Sequence, residues 1–362
     1  MSTTYDEPVI KVVTFNLEHD GGRAKNGRLP KRWHDAHDFL TGLRPDILLR
    51  QELTYSRDDG HRRLHAAETA LGMRGFLGTP GLGRNPTGLF VNTATFEIVR
   101  QYDHPAGIWR TPPTNVIVRL PEVPDRDIVL LSWHAAFNSP RGREREADEI
   151  TAFADKMKTG CSFIGGGDAN EYPLPHGETV AHIDWSSPGI TDRPHRVHRS
   201  NASPDGSRIS CTYLDETLLE CGLHDPARYA AHTLGLPRAL DHTAGHAASS
   251  QEQGGPRRID RVYNDPRTVT AVIDVIVHDV DFSDHRAVEV VYSRRQFIEA
   301  QRRTITPCPR TTSASTDPPS PARGTLRPSR ETSAPRFFPS RTGHEHQDHR
   351  ARRHSHLAHR AL

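Results

Sequence analysis

Cysteine is scarce: Cys161, Cys211, Cys221 and Cys308 are the only ones in 362 residues, and none forms a C-x-x-C pair. That excludes a zinc ribbon and a disulfide-stapled miniprotein, and it suits a reducing compartment. Long apolar runs are missing too. No stretch approaches the roughly 18–20 consecutive apolar residues that a membrane-spanning helix requires. The segment Met1 to Ile10 lacks a basic region followed by an apolar one, so no secretory signal is visible and a cytoplasmic, monomeric protein is expected. No internal repeat recurs at solenoid periods. Hydrophobic residues make up only 34% of the chain, too few for a chain that is core throughout.

What is present divides unevenly. Residues 301–362 carry 12 Arg and no Lys against four acids, a balance of +8, which leaves −6 on residues 1–300. From about Thr304 the chain is Pro, Ser, Thr, Arg and His with few aliphatic residues, a composition that cannot bury enough apolar surface to fold. Residues 301–362 are therefore expected to be a disordered basic tail. Its six histidines between His344 and His359 are read as a solvated terminus in preference to a metal tract. Residues 1–300 are expected to form one acidic domain, whose overall field does not attract a polyanion although a local patch still can.

Within that domain short apolar segments recur: Ile10–Leu17, Asp46–Gln51, Gly88–Asn92, Asn115–Leu120, Asp127–His134, Ser162–Gly166, Arg258–Tyr263, Val269–Val277 and Ala287–Tyr292. Several are continuously apolar, as in strands covered on both faces. Helical spacing links Trp33, His37, Leu40 and Leu43, then Ala147, Ile150, Phe153 and Met157, and a third helix spans Thr212 to Cys221. Tyr172–Arg208, rich in Pro, His and Asp, reads as a long loop. Interleaved strands and helices predict an α/β layered fold.

Polar residues fall at the ends of these apolar segments: Asn16 after KVVTF, Glu52 after ILLRQ, His134 after IVLLSW, and Asp168 and Asn170 after CSFIGGG. Asp260 lies within RRIDRVY, and Asp284 and His285 come just before AVEVVY, with Arg286 between. Strand ends in layered α/β proteins share a rim, where residues distant in sequence converge. Taken singly each has a plain structural explanation: a turn for Asn16, an ion pair for Glu52 or Asp260, a core imidazole for His134, a helix cap for Asp284. The glycines Gly165–Gly167 lack the Lys-Ser/Thr sequel of a nucleotide-binding loop and read as a tight strand exit. It is the joint pattern, in this order, that points to chemistry.

That order resembles the endonuclease/exonuclease/phosphatase superfamily over about Val9 to Tyr292, through TFNLE, LLRQE, SWHAAF, GGGDANEYP, RRIDRVY and FSDHRAV. The resemblance implies a four-layer sandwich of two mixed β-sheets packed face to face with helices on the outer faces. It also implies a metal-dependent phosphoric ester hydrolase. Glu52, Asn16 and Asp284 would hold Mg²⁺ or Mn²⁺; Asp168 would orient or deprotonate the attacking water; Asn170, His134 and His285 would contact the phosphate. His134 would also serve the leaving oxygen, and Asp260, or else Asp284, would fix the His285 ring. Carboxylates gathered this closely should push at least one pKa upward when no metal is bound.

One residue departs from the pattern. Arg50 stands where an apolar strand residue is usual, either as a phosphate clamp or as the partner of a nearby acid. Trp109-Arg110 is likewise either a base-stacking pair or a cover for the core edge. The substrate expected is nucleic acid, cleaved as a phosphodiester; the alternative, favoured by the acidic domain, is a small or lipid-derived phosphate ester. The loops that would recognise it, Ser56–Arg63, Leu82–Pro86, His104–Pro113 and Tyr172–Arg208, carry no legible code.

Overall fold

The computed structural model describes residues 5–303 apart from 176, 181 and 182, all within the unit Met1–Pro307. The basic tail from residue 304 onward, with its expected disorder, its histidine tract and Cys308, lies outside the described residues. The strands are β1 Val9–Asn16, β2 Ile47–Gln51, β3 Arg74–Leu77, β4 Gly88–Val91, β5 Glu97–Tyr102, β6 Thr114–Arg119 and β7 Ile128–His134. They continue with β8 Ser162–Asp168, β9 Ser200–Ala202, β10 Arg208–Ser210, β11 Asp260–Asn264, β12 Val272–His278 and β13 Ala287–Ser293. The α-helices are α1 Lys31–Leu43, α2 Asp58–Leu71, α3 Pro140–Ala154, α4 Arg193–Arg199, α5 Tyr213–Glu220, α6 Pro226–Thr233 and α7 Arg294–Arg302.

The continuously apolar segments become the strands buried on both faces. β2, β4, β7 and β8 are buried at every position, as is all of β1 beyond its first residue. They form two mixed sheets, one ordered β12-β13-β1-β2-β4-β3 and one ordered β11-β8-β7-β6-β5, with β9 and β10 as a separate pair. The sheets face each other across a core in which Val12, Ile47, Leu49 and Leu89 of the first meet Val116, Leu130 and Ile164 of the second. Alternation sends the neighbouring residues outward. Val13, Phe15 and Leu48 meet Trp33, Leu40 and Leu64 of α1 and α2, while Leu131, Trp133 and Phe163 meet Ile150, Leu214 and Leu218 of α3 and α5. The result is the expected four-layer α/β sandwich.

Each sheet contains one parallel pair, β1 with β2 and β7 with β8; the other pairings are antiparallel. The two parallel pairs pack across the sandwich, β2 against β7 and β8 and β1 against β8. Gln51 fastens them: its Oε1 accepts from Thr14 Oγ1 at 3.4 Å and its Nε2 donates to Ser132 Oγ at 3.3 Å. Four carboxyl-terminal strand ends thereby reach one edge of the molecule.

The glycines Gly165–Gly167 lie inside β8, not in a turn. A Cβ on Gly167 (φ +150°) would stand 1.9 Å from the Trp133 carbonyl oxygen, so only glycine lets β8 approach β7 this closely. Tyr172–Arg208 is not structureless either. It contains α4, whose start is set by Asp192 accepting from the His195 amide at 2.9 Å and by Pro194.

Candidate active site

Asn16, His134 and Asp168 are the last residues of β1, β7 and β8, and Glu52 directly follows β2. Asp260 and His285 arrive from the opposite direction. Asp260 opens β11, which runs antiparallel to β8 and pairs with Asp168 itself. His285 lies two residues before β13, which is antiparallel to β1. Amino ends of antiparallel strands thus complete a rim built from carboxyl ends of parallel ones. Glu52 (φ +58°) and Asn170 (φ +53°) take left-handed backbone conformations that non-glycine residues seldom adopt. Such strain persists where the surroundings enforce it.

Asp168 is the hub. Its Oδ1 accepts from the Asn170 amide at 2.7 Å, and its Oδ2 accepts from Asn16 Nδ2 at 3.3 Å. The same Oδ2 lies 3.5 Å from His134 Nε2 and 3.9 Å from His285 Nε2. Glu52 stands to one side, with Oε1 at 4.0 Å from His134 Nε2 and Oε2 accepting from the His19 amide at 2.8 Å. His285 Nδ1 donates to Asp260 Oδ2 at 2.8 Å. Asp260 is itself held by Thr243, whose Oγ1 accepts from the Ile259 and Asp260 amides at 3.0 Å each.

Burial opposes a charge on His285, yet the bonded Asp260 carboxylate and nearby Asp168 outweigh it and lift its pKa to about 10, so the ring is an imidazolium. Burial likewise works against an ionised Asp168, but His285, His134 and Arg199 hold it below the ordinary carboxylate range. Asp260 is the carboxyl that rises, through burial and the neighbouring Asp168. The expectation that one acid of a crowded set titrates high is met there.

Ligand atoms of Asp168, Asp260 and His285 all lie within 4.8 Å of one another, a buried group able to hold a cation. It already contains one, because His285 is charged. The better oxygen donors for an external ion lie beside it. Asn16 Oδ1 is buried and accepts no hydrogen bond among the described residues, and the Glu52 carboxylate reaches the same His134 Nε2 that faces Asp168. An amide oxygen and a carboxylate are the hard donors that a magnesium-like ion takes, so the residues fit such a group.

Asp284 stays outside this arrangement: its side chain is exposed, and Asp260 already occupies His285 Nδ1. Arg50 is turned away as well. It is fully buried beneath the helices, with Nη2 donating to Asp20 Oδ1 at 2.9 Å and its guanidinium 5.9 Å from the Phe15 ring centre. Trp109 is buried in the core under α3. Several participants received no role from the sequence, although Ser283 stands inside the FSDHRAV motif. His19 binds Glu52, Ser283 Oγ donates to the Asn16 carbonyl at 2.8 Å, and Arg199 of α4 donates through Nη2 to Asn170 Oδ1. Each is one polar residue in a polar loop or a short basic helix.

No family model matches the chain, and no curated protein does. Solved structures do. A 3′-5′ exonuclease, NExo, from Neisseria meningitidis aligns over 78% of this chain and 100% of its own at 18% identity, with a TM-score of 0.53. NExo described as a 3′ phosphatase, bound to a product DNA hairpin, aligns at 18% identity and a TM-score of 0.52, over 78% of this chain and 99% of that one. An AP endonuclease from Archaeoglobus fulgidus aligns over 78% and 99% at 15% identity, with a TM-score of 0.51. At these identities the likeness is one of architecture: the chain shares the fold of these exonuclease and AP endonuclease structures.

Proposed function

We propose that the protein is a divalent-metal-dependent phosphodiester hydrolase and that its substrate is nucleic acid. The observation that carries this reading is the convergence on Asp168 Oδ2 of Asn16, His134 and His285, with the Glu52 carboxylate alongside. A phosphodiester is wrapped in negative charge, and its hydrolysis requires a placed water, a group to take its proton, and donors for the phosphoryl oxygens. Asp168, held ionised, orients the water and accepts the proton. His285, held charged by Asp260, donates through Nε2 to a nonbridging oxygen. Asn170 donates to a second phosphoryl oxygen, and His134 serves the leaving oxygen. Glu52 and Asn16 would hold the metal, which when bound would neutralise charge developing on the phosphoryl group. Nuclease architecture in NExo and the archaeal AP endonuclease supports the choice of substrate.

The test is one panel, assayed with Mg²⁺ or with EDTA: plasmid, single-stranded DNA, RNA, an inositol phosphate, sphingomyelin and a bis-aryl phosphodiester. Metal-dependent cleavage of a polynucleotide is expected, lost in Asp168→Asn by at least about 100-fold. Unchanged hydrolysis in that variant overturns the role given to Asp168. Unchanged activity in EDTA overturns the metal. The charge of −6 on residues 1–300 favours a second reading, a hydrolase of small phosphate esters. Salt separates the two. Activity on a polyanion falls steeply as salt rises, because contacts to several phosphates each release counterions, whereas turnover of a small ester barely responds.

A further inference from the structure

We infer that a pocket beside Glu52, walled by Arg23, Arg57 and Arg84, binds a second phosphate group of the substrate, distinct from the one attacked. This rests on the phosphohydrolase reading above. The pocket is a cavity of about 440 Å³ between the segment after β2 and the loop before β4. It shares Arg23, Tyr55 and Asp58 as lining residues with a neighbouring cavity of about 530 Å³. One wall is continuous with the candidate active site. Leu53 donates through its amide to the Pro86 carbonyl at 2.9 Å, and Thr54 Oγ1 to Asn85 Oδ1 at 2.9 Å. Asn85 Nδ2 lies 3.5 Å from the Nδ1 of His19, the residue whose amide binds Glu52.

The cations here differ from other arginines nearby. Arg62 donates to the Gly27 carbonyl, and Arg63 donates to Gly22 and pairs with Asp20. Among the described residues Arg23, Arg57 and Arg84 make neither a hydrogen bond nor an ion pair; Asp58 is the single acid on the same wall, and Asp103 attracts Arg57 from a distance without bonding to it. Arg57 is the informative one. Its Nε and Nη2 are buried atoms without a partner, and they lie on the edge of the guanidinium that forms the two-pronged bond to phosphate oxygens. Buried donors left unpaired are costly, so the arrangement suits an acceptor from outside the chain. The cavity exceeds the size of a bare phosphate and admits the sugar attached to it.

The experiment compares substrates with one phosphate and with two. They are bis(p-nitrophenyl) phosphate, thymidine 5′-(p-nitrophenyl phosphate) with and without a 3′-phosphate, and a short single-stranded oligonucleotide. In Arg57→Gln, kcat/KM should fall about 10-fold on the 3′-phosphorylated ester and the oligonucleotide, and further in Arg57→Gln/Arg84→Gln, but stay within about twofold on the single-phosphate esters. Loss on both two-phosphate classes supports a general second-phosphate site; loss confined to the oligonucleotide supports the adjoining diester of a polynucleotide. Equal loss on every substrate, or no loss on any, overturns the inference. Should the unaltered protein hydrolyse none of them, the functional reading fails, and the pocket is judged separately by calorimetry with thymidine 3′,5′-bisphosphate. Binding weakened about 10-fold in Arg57→Gln supports it, and no measurable binding to the unaltered protein overturns it.

Discussion

Asn170 can point only one way. Arg199 has hydrogens to give and nothing to accept with, and the Ala135 carbonyl can only accept. With Nη2 of Arg199 on Oδ1 and Nδ2 donating to Ala135 at 2.9 Å, the carboxamide is fixed and its second Nδ2 hydrogen is left for a phosphoryl oxygen. Arg199 is thus a positioning residue that acts through Asn170. It is buried without a carboxylate bonded to it, and burial lowers its pKa to about 10. Arg199→Met should lower kcat by about 10–100-fold with a smaller change in KM, and Arg199→Lys should restore part of it. If both substitutions leave kcat unchanged while the protein stays folded, the orientation of Asn170 does not matter to turnover. The sequence exposed Asn170 through its place after a buried strand, but not Arg199. A basic residue in RVHRS has no spacing to mark it, and its role exists only once α4 folds back over the rim.

Among whole elements, β8 is the most constrained. It is sandwiched between β7 and β11, and its three glycines are explained by contacts that a methyl group would violate. At Gly165 a Cβ would meet the Phe163 and Trp133 rings at 2.5 and 2.7 Å, and at Gly166 the Arg261 carbonyl oxygen at 2.7 Å. Gly167→Ala should destabilise by about 2 kcal/mol or more, because the atom it strikes is backbone and cannot swing aside. Gly42→Ala is the matched control: it sits within α1 with open space around it, and it should stabilise by about 0.5–1 kcal/mol through helix propensity. Urea midpoints of the two variants check both signs together. The buried strands and the apolar helices were legible because their patterns are strong. Four strands and four helices were not. β5 is almost wholly exposed, so its composition is that of a surface. α2 begins with non-helical residues at Asp59–His61 and lacks a capping side chain, and α7 is mostly Arg, Gln and Glu around a buried Phe297.

At the scale of the molecule, order along the chain disclosed that the polar residues belong together, but not the directions that unite them. Asp260 and His285 reach the rim because β11 and β13 run opposite to β8 and β1, and strand direction is a property of the paired sheet, not of any one segment. The same packing leaves a mark on stability that no segment carries alone. His37 is stacked on Trp33 at 3.7 Å between ring centres and donates through Nδ1 to the Trp33 carbonyl at 2.7 Å. Burial, with Arg50 and Arg63 close by, takes its pKa from 6.5 to about 3. His195 is lowered to about 3 as well, through burial and then Arg199 and Arg257, with Asp192 opposing them. Both rings are neutral when folded, whereas the unfolded chain takes up their protons below about pH 6.5. Their stabilisation is therefore complete above that pH and lost as pH falls toward 3, at up to about 1.4 kcal/mol per pH unit for each ring. Thermal midpoints should decline between pH 6.5 and 4.5, before most carboxylates titrate. His37→Gln, which keeps a donor but cannot charge, should remove about half of that slope. An unchanged slope in His37→Gln would show that this imidazole takes up its proton without unfolding the layer between α1 and the first sheet.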